Sequence, residues 1–516
     1  MSAGASKLSV GGMGLLKYNI DDGFILYEGR MRILTGDLYR AEQIRQAERI
    51  AIEVLAIPGL QLMRNAGQAA FDALRWQWPE ARRISIYCGG GNNAGDGYVI
   101  ALLALQAGWQ VDLQTLVDIT TLRGDALHAY RDFADAGGLV RSFDNEDVEA
   151  DVIVDALLGT GLNRTVSQHY AAAIKVINGS AKPVLAVDVP SGLHADTGCV
   201  MGCSVKAHLT VTFIALKAGL FTAQAGDYCG EVIGDDLNVP KEAFDRMEPV
   251  AKCLVADELP RRARNAHKGH FGHLLLIGGH RGYSGAIRLA GEAALRAGAG
   301  LVSIATRCEH AALLNIGRPE LMCHGVENAA QLSPLLEKAT AVVIGPGMGQ
   351  DQWALELFTA VLAIDKPCVV DADALNVLAR LPRRLENALM TPHPGEAARL
   401  LGCDMQEIAQ DRYAAVARLR ERFGAVAVLK GAGSLIAGDD GIHVCPTGNP
   451  GMASGGTGDV LAGVCGALLG QGLSLTAAAK LAVFVHGKAG DLAAEQGERG
   501  LLASDLLPFI RRLLNP

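Results

Sequence analysis

The chain has 516 residues, half of them apolar, with 47 Lys and Arg against 55 Asp and Glu and a formal net charge of -8. That length suggests more than one domain, and so large an apolar share lets each bury a core without disulfides. An acidic balance with no long basic tract leaves no electrostatic footprint for nucleic acid or an anionic membrane, no apolar run approaches the roughly 20 residues that span a bilayer, and a small-molecule enzyme is favoured.

The 11 cysteines run from Cys88 to Cys465 without paired CxxC modules, which suggests reduced thiols and a cytoplasmic protein. Cys199 and Cys203 are the closest pair, but a second ligand pair is missing, so two ordinary thiols are expected rather than zinc. Residues 1–30 have short apolar patches and no convincing cleavage site, and are read as a flexible extension, or as the product of a start codon upstream of Met31, outside the fold.

From Asp37 to Leu55 apolar residues recur at helical spacing, Ile57-Pro58-Gly59 interrupts them, and a second helix is predicted through Leu74. Strands are predicted at Ile84 to Cys88, Val111 to Leu116, Val152 to Leu157, Val184 to Val189 and Leu209 to Ile214, alternating with helices. The turn-rich GDYCGEVIGDDLNVP that follows reads as a closing hairpin. The alternation then restarts, with strands at Leu274 to Ile277, Leu301 to Ala305, Ala341 to Ile344, Cys368 to Asp371 and Val426 to Leu429, and helices at Ala477 to Ala494 and Leu502 to Leu514. The fold class is therefore α/β in two domains, 31–245 and 246–516, the first a Rossmann-like parallel sheet with helices on both faces. The boundary is placed between Pro240 and Arg264, and no internal repeat is visible.

The strand ending at Cys88 runs into GGGNNAGDGYVIA, residues 89–101, and then a helix. Two asparagines and an aspartate interrupt the glycines, so side-chain oxygens are presented along with amides, unlike the dinucleotide fingerprint GxGxxG. Two later strands end in VDALLGTGLNRT, residues 154–165, and AVDVPSGLHADTG, residues 186–198. Ligands of open parallel sheets collect at strand carboxyl ends, so Asn93, Asp155, Asp188 and Ser191 are expected to converge. Asn93, Asp155 and Ser191 are hard oxygen donors suited to a weakly bound cation, which leaves Asp188 for proton transfer; alternatively, Asp155 and Asp188 merely cap loops.

These three segments resemble the YjeF N-terminal family, whose enzymatic members epimerise hydrated NAD(P)H, over roughly Arg40 to Pro240. The resemblance implies potassium held by Asn93, Asp155 and Ser191. It also implies substrate contacts from Asn92, Asn93, Ala94, Gly95 and Asp96, from Gly159, Thr160, Gly161, Leu162, Asn163, Arg164 and Thr165, and from Tyr170 and Asp188. The family more often has glycine where this chain has Ala94.

The most informative run of the second half is NPGMASGGTGDVLAG, Asn449 to Gly463, glycines and one carboxylate ahead of an apolar helix. Without side chains, Gly455, Gly456 and Gly458 let helix-start amides approach an anion. Asp459 would be repelled by phosphate, so it is read as the base that takes a proton from an attacking hydroxyl, or else as a first-turn partner of the helix dipole. Lys430 opens the glycine-rich turn KGAGS, where it could meet phosphate or lie along the surface, and His393 stands in a rigid turn between Pro392 and Pro394. Lys268 and His270 share a further glycine loop and carry only a weak expectation of function.

With residues 265–286, VIGPGMG at 343–349 and TPHPGE at 391–396, this half resembles the ADP-dependent NAD(P)H-hydrate dehydratases of the ribokinase-like superfamily. The resemblance implies a ribokinase-like α/β domain, ADP or AMP held by Lys430, Gly431, Ala432, Gly433, Ser434 and Gly458, and hydrated nicotinamide met by Ala286, Gly349, His393 and Asp459. Magnesium would serve this half and potassium the first. The expected function is repair of hydrated NADH and NADPH, with Asp188 and Asp459 as catalysts, in a homo-oligomer without nucleic-acid or membrane partners. Two rivals are a superfamily kinase for a vitamin precursor or sugar, and a non-catalytic binding module of the RNA-decapping-scaffold kind. The joint presence of Asn93, Asp155 and Asp188 argues against the second.

Overall fold

The computed structural model describes residues 36–145, 149–255 and 258–515, so the expected extension at 1–30 lies outside the described residues. Among the described residues, two sheets organise the fold. The first has seven strands in the order Val140–Ser142, Gln110–Thr115, Arg83–Cys88, Val152–Ala156, Val184–Val187, Leu209–Phe213 and Glu231–Asp235, with every neighbouring pair parallel. The apolar strands explain the burial of both faces, because side chains alternate across a sheet. Val152 and Val154 enter one core with the helices Gly59–Gln77 and Asn92–Gln106, whereas Ile153 enters another with the helix Gln168–Gly179.

The second sheet has twelve strands, of which seven form a parallel block: Leu321–Gly325, Leu301–Thr306, His273–Ile277, Ala341–Ile344, Cys368–Val370, Ala388–Met390 and Val426–Leu429. Alternation recurs here, Leu275 and Ile277 packing with one helical layer and Leu274 and Leu276 with the other. The block continues through the antiparallel pair Leu435–Gly438 and Gly441–Val444 to Ala251–Cys253, Asp37–Tyr39 and finally Leu216–Lys217. Both halves are thus α/β, and two short strands from the first half complete the edge of the second half's sheet. Leu38 is buried in the second half's core and its neighbour Tyr39 in the first's.

Several expectations are corrected. The helix expected from Asp37 begins only at Ala41, because Arg40 is extended and Asp37–Tyr39 pairs as a strand. No closing hairpin forms over GDYCGEVIGDDLNVP. Residues 214–230 carry the chain back across the sheet, and Gly230 turns it beside His208, so that Glu231–Asp235 enters parallel to Leu209–Phe213. The strand Val184–Val187 stops short of Asp188, which takes φ +67°. The last helix starts at Leu506 rather than Leu502, which puts Pro508 within its first turn, where its missing N–H costs no helical bond.

Candidate active sites

In the first half the helix Asn92–Gln106 starts directly after the glycines that follow Arg83–Cys88, at the carboxyl end of the sheet. Gly89 has no space for a side chain: a Cβ there would stand 2.1 Å from the Leu157 carbonyl, and 3.3 Å from Tyr170 Oη. Three of the sequence-predicted groups therefore gather around one loop. Ser191 Oγ donates to Asp155 Oδ1 at 2.6 Å, Ser191 N donates to Asp155 Oδ2 at 2.8 Å, and Leu158 N donates to Ser191 Oγ at 2.8 Å. The Asn93 side chain lies against Gly159, next in the chain.

Among the described residues, Asn93 Oδ1 and Nδ2 are both buried with no hydrogen-bond partner. Buried amides are ordinarily satisfied, so both atoms are open to a water, an ion or a substrate group. An amide resting on the loop that Ser191 ties to a buried carboxyl adds to a set of hard oxygen donors, the chemistry that suits a weakly bound cation. Burial pushes Asp155 up to about 6 despite the bonds it accepts from Ser191 and Leu157. Asn92 is exposed at the helix start, whereas Ala94, Gly95 and Asp96 are buried. Gly161, Asn163, Arg164 and Thr165 are exposed on the loop, and Arg45 donates to the Thr160 carbonyl.

Asp188 faces a group that the sequence reading missed. Lys217 Nζ closes on Asp188 Oδ1 and also donates to the Phe213 carbonyl at 2.7 Å, while Thr212 Oγ1 and Phe213 N donate to the same carboxylate. Burial, then Asp188 and Glu48, push Asp96 well above the usual carboxylate range. Burial, then Asp188, raise Glu48 as well, and Lys217 opposes both shifts. The result is three carboxylates in the field of one ammonium, with Asp188 in a left-handed conformation that costs a non-glycine residue strain. A lone lysine in the apolar stretch from Leu209 to Leu220 was the available signal.

In the second half Gly456, at φ +96°, precedes the helix Thr457–Gly470, and Asp459 stands in its first turn. His486 Nε2 meets the Thr457 carbonyl at 2.9 Å, and its burial lowers it to about 4, so a neutral imidazole supports the helix start. Lys430 is not a surface lysine. Its ammonium lies 2.8 Å from Asp371 Oδ1, which also accepts from Thr391 Oγ1 at 2.7 Å, and a Cβ on Gly458 would stand 3.3 Å from Nζ. Burial works against the ammonium, but Asp371, Glu396 and Asp459 outweigh it and raise its pKa.

Burial, with Asp371 adding and Lys430 opposing, raises Asp459 to about 7. Such a carboxyl is poised to take a proton near neutrality. Asp373, a weaker contributor to that rise, accepts from Gly349 N at 2.8 Å, and Ala286 packs against Gly347 of the same turn. His393 caps the helix Pro394–Leu401, its Nδ1 accepting from Gly395 N and Glu396 N. Burial, then Lys430 and Arg399, hold its pKa below the ordinary value, which favours the neutral ring 3.5 Å from Glu396. Burial raises Glu396 to about 7.

The loop Lys430 to Ser434 is built partly from outside its own half. Arg412 Nε donates to Thr222 Oγ1 at 2.9 Å, Arg412 Nη2 reaches the carbonyls of Leu429, Lys430 and Gly433, and Thr222 Oγ1 donates to the Gly433 carbonyl at 3.1 Å. Asp371, Asp373, Glu396, Arg412 and Thr222 were all missed in the sequence. Asp371 had the same signal as Asp155 and Asp188, an aspartate at a strand's carboxyl end. Among the described residues, no helix is long and apolar enough to cross a membrane.

The family model "NAD(P)H-hydrate dehydratase" matches residues 274–512, and the model "YjeF-related protein N-terminus" matches residues 59–219. The chain is 49% identical over 486 residues to a bifunctional NAD(P)H-hydrate repair enzyme of Coxiella burnetii, covering 93% of this chain and 99% of that one. It is 45% identical over 487 residues to the enzyme of that name in Escherichia coli K12, covering 93% and 94%. Among solved structures, a ribokinase-like superfamily protein from Enterococcus faecalis is 31% identical with a TM-score of 0.47, covering 50% of this chain and 93% of that one.

Proposed function

The chain belongs to the family of bifunctional NAD(P)H-hydrate repair enzymes, and from that premise we propose how its two sites divide the work. NADH or NADPH that has taken up water carries a hydroxyl at C6 of the nicotinamide ring in either configuration. The protein epimerises the R and S hydrates and dehydrates the S form at the expense of ADP, giving NADH or NADPH, AMP and phosphate. The first task is assigned to residues 31–245 and the second to residues 246–516.

In the dehydratase site Asp459 takes the proton of the C6 hydroxyl, whose oxygen attacks the β-phosphorus of ADP. The bond from that phosphorus to the bridging oxygen breaks and AMP leaves. The phosphate then departs from C6, a proton is lost from C5, and the ring double bond returns. Lys430 and the amides around Gly456 and Gly458 offset charge on the transferring group, and His393, Ala286 and Gly349 border the nicotinamide. Magnesium would be carried in on the nucleotide phosphates. Bound there, it would neutralise charge on the phosphoryl group.

In the epimerase site Asp188 moves a proton while residues 92–96, the loop 159–165 and Tyr170 enclose the substrate. Asn93, Asp155 and Ser191 would hold potassium, which supplies positive charge for orienting the substrate. The observation that carries the dehydratase reading is the side-chain-free helix start of Gly456 and Gly458, which sets Asp459 beside a half-buried Lys430. The test is incubation of the purified chain with mixed NADHX epimers and ADP, following the return of reduced-nicotinamide absorbance. Recovery in two phases is expected. A stable phosphorylated sugar or hydroxymethylpyrimidine, with NADHX untouched, would support the kinase instead.

A further inference from the structure

We propose that the epimerase half braces the nucleotide loop of the dehydratase, with Thr222 and Arg412 acting as positioning residues for ADP. The inference rests on the reading that Lys430 to Ser434 hold the nucleotide, and it adds a requirement which that reading lacks.

Arg412 opens the helix Arg412–Phe423, yet its side chain is only 5% exposed and is directed between the two halves. A buried guanidinium has donors that must find acceptors. The carbonyls of Leu429, Lys430 and Gly433 take Nη2, and the hydroxyl of Thr222, itself 2% exposed, takes Nε. The Thr222 hydroxyl proton goes in turn to the Gly433 carbonyl. Carbonyls of the loop are thereby turned towards Arg412 and Thr222, while Lys430 N is bonded to the Pro392 carbonyl and Gly431 N to Ser434 Oγ, so the backbone course of the loop is fixed from several sides.

Two glycines confine the loop further. Gly433 has φ +60°, and a Cβ there would stand 1.9 Å from the Phe221 carbonyl. Gly431 has φ +136°, and its Cβ would stand 3.0 Å from Arg412 Nη1. The loop therefore rests directly on the backbone of residues 221–222. Tyr413 fixes the same segment by donating to the Ala218 carbonyl at 2.9 Å. Lys217, at the other end of that segment, is the cation that meets Asp188.

A loop held in its binding shape before the ligand arrives loses less entropy on binding, so the brace acts on affinity more than on the chemical step. Thr222→Val keeps the shape and removes the hydroxyl, whereas Thr222→Ser keeps the hydroxyl. With the S hydrate saturating and ADP varied in the full chain, Thr222→Val should raise KM for ADP about 3- to 10-fold, the effect of one weakened hydrogen bond. Its kcat at saturating ADP should stay within about twofold of the parent's, as expected when binding is lost equally from ground and transition states. Thr222→Ser should stay near the parent, and Arg412→Lys, which keeps the charge without the fork, should reproduce the KM shift.

An unchanged KM for ADP in both Thr222→Val and Arg412→Lys would overturn the proposal. So would a loss of kcat that Thr222→Ser shares, since that pattern belongs to general packing. Lys430→Met separates the two levels. If it leaves ADP affinity intact, the nucleotide does not use this loop and both readings fall. If it weakens ADP while the Thr222 and Arg412 variants do not, only the brace falls.

Discussion

Lys217, 1% exposed, meets Asp188 from the end of a strand that belongs to the other sheet, so the edge strand that joins the two halves also completes the carboxylate cluster of the first site. Removing one partner of a buried ion pair costs on the order of 3–5 kcal/mol because the other is left uncompensated. Lys217→Met should therefore lower Tm at neutral pH and abolish epimerisation. Asp96 and Glu48 have raised pKa values in the fold, so their protonated forms are favoured, and the stability this confers is lost as pH rises. Lys217 lowers both, so its loss should hurt most above neutrality and least towards pH 4, where the carboxyls are protonated. Equal Tm deficits at pH 4.5 and pH 8 would contradict the cluster.

Asp188→Ala isolates the first reaction. Fed mixed epimers and ADP, this variant should consume the S hydrate at the parental rate and the R hydrate only as fast as it epimerises spontaneously, so the second phase becomes slow. Positioned proton transfer typically contributes ~10²- to 10⁴-fold, which sets the size of the change. R-hydrate repair at the parental rate would remove Asp188 from catalysis.

Much of this arrangement was legible in the chain because apolar strands and glycine turns are local signals. Arg83–Cys88, Val152–Ala156 and Ala341–Ile344 lie within a residue or two of the expected limits, since their burial on both faces leaves a continuous apolar run. The edge strands were not legible. Asp37–Tyr39 is too short to show alternation of its own and runs into the helical spacing that follows, while the burial of Leu38 and Tyr39 on opposite sides depends on the other half of the molecule. The same holds for side chains. Lys430 could have been a surface lysine until the Asp371 carboxylate was placed 2.8 Å away, and Arg412 has no motif at all, because its partners lie at Thr222 and across a loop. Glycine runs mark where an anion can approach, whereas ion pairs between distant strands depend on topology.

Asp459, raised to about 7 by burial, has to be deprotonated to act as base. At low substrate, kcat/KM for the S hydrate should therefore climb with pH and level off above about 7, and Asp459→Ala should retain ADP binding while losing ~10²- to 10⁴-fold in turnover. Near-normal turnover in that variant would remove the assignment. The stability sign is fixed by the same shift. A raised carboxyl pKa favours the fold below the unfolded value and penalises it as pH rises through the folded one. Asp459→Asn should thus raise Tm relative to the parent at pH 8 and lose that advantage near pH 4. A flat rate profile from pH 5.5 to 8 would assign the base elsewhere.

The orphaned amide of Asn93 gives a prediction that does not involve Asp188. Buried polar atoms without partners cost free energy, and a cation held by Asn93 Oδ1, Asp155 and Ser191 would remove part of that cost. Epimerisation should fall when potassium is replaced by a bulky organic cation at constant ionic strength, while dehydration of pure S hydrate should be unaffected, since the two sites are assigned to different halves. Ligand that binds only the folded state also raises Tm, so potassium should stabilise the parent in a concentration-dependent way. Asn93→Leu removes the oxygen and fills the space with an apolar group of similar size, which should abolish both responses and leave a protein that folds without the ion. If Asn93→Leu retains the full potassium response in Tm and in epimerisation, the cation does not use this oxygen. If the parent shows neither response, the orphaned amide belongs to substrate recognition instead, and the R hydrate should then bind the variant more weakly than the parent.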